Sequence, residues 1–87
     1  MTTTWRVLID TRARKHLAHM DPVVRRRIAK AIDGLSTDPE PAGCKQLRGL
    51  TDVLRIRVSD YRILYHVRHA DHVGQILDID HRKDIYR

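Results

Sequence analysis

A single cysteine, Cys44, among 87 residues excludes an intrachain disulfide and fits a reducing, cytoplasmic compartment. It lies between Gly43 and Lys45 and reads as an incidental loop residue. No stretch approaches 18 apolar residues, and the opening MTTTWRVLID lacks a long apolar region. Neither a membrane span nor a signal peptide is expected. Repeats and low-complexity segments are absent. His16 and His19 stand three apart, and His66, His69 and His72 gather around Asp71, but neither set has a strong metal-ligand spacing, so no metal is expected. The length suits one domain, residues 1–87, burying roughly 60–65% of its unfolded surface, with a stability of about 5–8 kcal/mol. A deep cavity is excluded; a site should lie on an open face or in a shallow groove.

Acids are the scarcer charge, 11 against 17 Lys and Arg, a net +6. Basic residues outnumber acids 8 to 5 in residues 1–41 and 9 to 6 in residues 42–87. The excess therefore belongs to the folded body and not to a tail. Such a field attracts polyanions: nucleic acid, an anionic membrane or an acidic protein.

WRVLID, residues 5–10, is short, apolar and β-branched, as a first strand should be. Ala13, Leu17 and Met20 then fall on one face of a short helix. Asp21-Pro22 restarts the helix, Asp as cap and Pro at the first position, where its missing N–H is harmless. Val24, Ile28, Ala31, Ile32 and Leu35 make an apolar stripe, with Arg25, Arg26, Arg27 and Lys30 mostly off it. STDPEPAG, residues 36–43, ends the helix. Residues 44–52 read as a loop. Three strands follow, at 53–58, 61–69 and 72–80, joined by two-residue turns at Ser59-Asp60 and Ala70-Asp71. The order β-α-α-β-β-β, closing in a three-stranded antiparallel meander, makes a two-layer α+β domain.

One face of such a sheet lies under the helices and the other meets water. Alternation puts Leu54, Ile56 and Val58 on the covered side of the first meander strand. Tyr61, Ile63, Tyr65 and Val67 follow in the second, and Val73, Leu77 and Ile79 in the third. The open face then carries Arg55, Arg57, Arg62, His66 and Arg68, with Asp78 and Asp80 nearby. Like charges on paired strands repel by some tenths of a kcal/mol per pair. Exposed ion pairs return only about 0–1 kcal/mol each, so a lattice of Asp78 and Asp80 with these arginines explains the arrangement poorly. Arginine's planar fork suits phosphate, and converging forks suit a charged transition state.

The segments KQLRGL, LRIRVSDYRILYHV and HRKDIYR resemble the RelE/ParE superfamily of toxins from type II toxin–antitoxin pairs, in its RelE branch. The resemblance covers nearly the whole chain and implies a ribosome-dependent messenger-RNA endoribonuclease that inhibits translation. The family's active positions fall on Arg55, Arg57, Arg62, Arg82 and Tyr86, with Lys45 and Arg48 in its basic loop. One departure is Asp80, where many relatives carry glycine. The resemblance implies no cofactor. It implies as partners the ribosome, messenger RNA and a cognate antitoxin, acidic where it covers the basic patch. No homo-oligomer is expected without that antitoxin.

In such an enzyme the RNA 2′-OH attacks the adjacent phosphate, and preorganised cations stabilise the phosphoryl charge. Arg62 is assigned to that charge, and Arg55, Arg57 and Arg82 to the backbone and leaving group. Arg68 could add an RNA contact. Arginine cannot serve as a base near neutral pH, so a proton acceptor is sought in Tyr86 or His81. Two other readings stay open: a ParE-branch toxin that poisons DNA gyrase, and a degenerate toxin-like binding domain.

Overall fold

The computed structural model describes residues 4–47, 49–50 and 52–81. Strand β1 (Arg6–Ile9) leads into helices α1 (Thr11–Ala18) and α2 (Pro22–Gly34). Strands β2 (Lys45–Gln46), β3 (Val53–Val58), β4 (Tyr61–Arg68) and β5 (Val73–His81) follow. They form one five-stranded sheet in the order β1-β5-β4-β3-β2. The expected meander, β3-β4-β5, is its antiparallel centre. Strand β1 joins one edge, parallel to β5.

The helices form where the sequence breaks and restarts. Val23 N–H donates to the Asp21 carboxylate at 3.1 Å, and Pro22 occupies the first turn of α2, which satisfies a donor the helix leaves over. Asp10, before α1, makes no such cap; its carboxylate instead accepts from Gln75 Nε2 at 2.6 Å, tying the β1–α1 corner to β5. Ala13, Ile28, Ile32 and Leu35 are buried with Ile63, Tyr65, Val67, Ile76 and Ile79 in one core. Among the described residues no helix is long and apolar enough to cross a membrane.

Three features depart from the alternation read in the sequence. The β4–β5 connection spans residues 69–72. His69 and His72 leave the strands, and their rings meet Trp5 edge-on at 5.4 and 5.2 Å. Residues 45 and 46 are a short strand and not a loop, pairing with Arg55 and Leu54. Finally, the β4–β5 register slips between Leu64 and Tyr65: Leu64 opposes Asp78, and Tyr65 opposes Ile76. An extra residue in one strand reverses which face each later side chain meets. Leu77 is that residue. Ile76 therefore joins Ile79 in the core, while Val73 is buried outside it. The expected covered set of Val73, Leu77 and Ile79 is corrected accordingly. Asp78 and Asp80, beyond the slip, keep the expected open face.

Candidate nucleic-acid interface

Residues directly opposed across paired strands share a face, and two rows of the open face carry its charge. One row runs Lys45, Arg55, Leu64, Asp78 from β2 to β5. The next runs Arg57, Arg62, Asp80. Four cations thus occupy the β2–β3–β4 side, and the acids stand on β5. Lys45, Arg55, Arg57 and Gly43 line a cleft of about 270 Å³. Gly43, at φ 91°, adopts a conformation that favours glycine, and it turns the chain into β2 so that Lys45 arrives beside Arg55.

The loop before β2 is pinned from below. The Tyr65 hydroxyl donates to Pro39 carbonyl oxygen at 2.8 Å, and Cys44 packs against the core. Burial pushes the Tyr65 phenol far above its ordinary pKa, with Cys44, Glu40 and Asp38 adding in the same direction. Tyr65 is therefore a neutral donor at any physiological pH. It holds the segment that delivers Lys45.

Lys45 and Arg57 are exposed and Arg55 half-buried. Among the described residues no ion pair ties these three to a carboxylate. Asp78 and Asp80 turn instead toward α1, where the His16 imidazole Nδ1 lies 3.0 and 3.4 Å from their oxygens. Arg12 lies 3.9 Å from Asp78. The side that lines the cleft is left with cations facing solvent, an arrangement that stores repulsion until an anion enters. Arg62 differs: it is only 1% exposed and stands between Arg57 and Asp80 in register. Alternation gives its face but not its depth.

The remaining sequence-derived positions divide. Arg68 shares the face but sits six residues along β4 from Arg62, roughly 20 Å at strand rise, and lies 3.6 Å from Asp71. His81 opposes Tyr61 on the other face, its ring edge-on to the Tyr61 ring at 5.3 Å. There it lines a second cleft of about 260 Å³ with His16, His19, Met20, Ile79 and Asp80. The structure therefore does not bring Arg68 or the His81 ring into the basic cleft. Arg48, Arg82 and Tyr86 lie outside the described residues. Sequence reasoning had not grouped His16 with Asp78 and Asp80. That meeting depends on β1 ending early along β5, which no local pattern announces.

A family model described as the ParE toxin of type II toxin–antitoxin systems, parDE, matches residues 7–86. Toxin RelG of Mycobacterium tuberculosis is 33% identical over 82 residues, covering 93% of this chain and 94% of RelG. A RelE1 toxin of Methanocaldococcus jannaschii is 30% identical over 84 residues, 93% of each chain. The crystal structure of the archaeal RelE–RelB complex from Pyrococcus horikoshii contains a chain that superposes with a TM-score of 0.82 at 32% identity, covering 91% of this chain and 96% of that one.

Proposed function

This chain belongs to the RelE/ParE family of type II toxin–antitoxin toxins, in its RelE branch, and we propose that it cleaves messenger RNA on the ribosome. The observation that carries this reading is the cleft of Lys45, Arg55 and Arg57, with Arg62 opposite Arg57 on the next strand. Lys45 and Arg55 grip the RNA backbone around the scissile phosphate, exposed Arg57 is aimed at the phosphoryl oxygens, and Arg62, buried opposite Arg57, adds its charge to the field there. Substrate supplies the nucleophile, its own 2′-OH, so the protein must position and neutralise. As the 2′ oxygen bonds to phosphorus, the bond to the 5′ oxygen breaks, leaving a 2′,3′-cyclic phosphate and a 5′-hydroxyl end. Arg82 offsets the charge on the departing oxygen, which water protonates. The 2′-OH proton goes to Tyr86 as phenolate, since the His81 ring faces Tyr61 across the sheet from the cations.

A cognate antitoxin is the natural partner. Relatives of this fold are found in complex with RelB in Pyrococcus horikoshii and with an antitoxin in Mycobacterium tuberculosis. A segment bearing carboxylates, laid over the cleft, would neutralise the same cations that phosphate would. The toxin acts among ribosomes, hence in the cytoplasm.

Induced expression with mapping of messenger 5′ ends on translating ribosomes tests the reading. Cuts within the A-site codon, lost in Arg57→Ala and reduced in Tyr86→Phe, are expected. Intact messages accompanied by gyrase-linked DNA breaks would replace it with a ParE-type activity, and unimpaired growth with abundant protein would leave a binding domain.

A further inference from the structure

Strand β1 pairs with only four residues of β5, from Val73 to Ile76. The remaining edge of β5 is flanked by α1. There the His16 Nδ1 meets three oxygens from consecutive residues: Asp78 Oδ1 at 3.0 Å, Ile79 carbonyl oxygen at 3.1 Å and Asp80 Oδ1 at 3.4 Å. The Asp78 side chain is 13% exposed and that of Asp80 26%. Two carboxylates thus approach one imidazole at the protein's rim, with Arg12, 74% exposed, 3.9 Å from Asp78.

We propose that His16, Asp78 and Asp80 form a binding site for a divalent transition-metal ion of the zinc class. Ligand atoms about 2.0–2.2 Å from such an ion must lie roughly 2.9–3.5 Å from one another, whether the shell is octahedral or tetrahedral. The two measured nitrogen–oxygen separations, 3.0 and 3.4 Å, fall in that range, and the three side chains cluster at one spot. One imidazole nitrogen with two carboxylate oxygens suits a borderline ion better than calcium or magnesium, which take oxygen alone. Asp78 Oδ1 also accepts the Ile79 N–H at 2.8 Å, a contact that aims the carboxylate as outer hydrogen bonds do around metals. Three protein ligands leave further coordination positions open to water. The ion offsets the two negative charges that stand in register with Leu64 and Arg62, at the border of the basic rows.

The test is calorimetric titration of the full chain with Zn²⁺ alone, alongside Co²⁺ absorption spectra. One ion per chain is expected, with Co²⁺ bands reporting mixed nitrogen and oxygen ligands. His16→Gln and Asp78→Asn should each weaken binding by more than about tenfold, while His69→Gln leaves it unchanged. Circular dichroism confirms that the variants are folded. Where one carboxylate variant fails to fold, His16→Gln, whose ring is 42% exposed, decides alone. No binding by the wild-type chain, or binding untouched by His16→Gln, overturns the site.

Discussion

Tyr65 joins the core to the functional face through a single hydroxyl. Its bond to Pro39 is worth about 1 kcal/mol, and Tyr65→Phe should lower stability by that amount at neutral pH. The same substitution should change the alkaline limb. Folding raises the phenol's pKa, so the native chain keeps a proton that the unfolded chain loses above about pH 10. The native state then binds more protons, and stability falls as pH rises through that region, while below it the contribution is constant. Urea denaturation at pH 8 and near pH 11 should show a smaller alkaline loss in Tyr65→Phe than in wild type. The arginines separate in the same way. Arg57 is exposed, and Arg57→Ala should shift stability by no more than about 0.5 kcal/mol. Arg62 is buried, and Arg62→Ala should cost about 2–4 kcal/mol, because it opens a void and removes the cation standing beside Asp80. Thermal melts distinguish the two, and they make Arg57 the cleaner probe of activity.

The bulge in β5 is the element on which the site's charge layout rests. With Leu77 as the extra residue, Ile76 and Ile79 both reach the core while Asp78 and Asp80 share the face of Arg62. Deleting Leu77 leaves Ile76, Asp78, Ile79 and Asp80 in strict alternation opposite Tyr65, Leu64, Ile63 and Arg62, so every remaining side chain keeps its face. The chain should still fold, with a loss below about 3 kcal/mol read as a modest fall in the urea midpoint; failure to fold would contradict Leu77 as the extra residue. How far each element was legible follows from its length and pattern. Strand β4 announces itself through alternation over Tyr61–Arg68, and α2 through Asp21-Pro22 and a stripe at helical spacing. Strand β2 has two residues, too few to show any period, so Lys45 read as part of a loop although it pairs with Arg55. The bulge leaves no trace either, since Val73, Leu77 and Ile79 already alternate with Asp78 and Asp80 without it. The face of Arg55, Arg57 and Arg62 was readable because a period of two fixes it. The depth of Arg62 and the departure of His81 were not, because both depend on what other strands place beside them.

At the scale of the whole molecule, the net charge of +6 matters less than its placement. The cleft cations lie at one end of the open face, and Arg68 lies four strand positions beyond the row of Arg55, roughly 13 Å along β4, beside Asp71. Binding to a single-stranded RNA releases counterions, and log K falls with log salt by about 0.7 per neutralised phosphate. Lys45→Ala, Arg55→Ala and Arg57→Ala should each reduce that slope by about 0.7, whereas Arg68→Ala should leave it near the wild-type value. Fluorescence anisotropy across a salt series measures this directly. A uniform effect of all four substitutions would mean that the field, and not the cleft, attracts the RNA.

The central claim is that the β2–β3–β4 side of the open face cuts the message. Single-turnover cleavage on ribosomes programmed with a defined codon in the A site tests it, comparing wild type with the folded Arg57→Ala chain. Misplacing one aimed donor should slow cleavage by about 10²-fold or more at unchanged melting temperature. Cleavage at the wild-type rate by that variant would contradict the account.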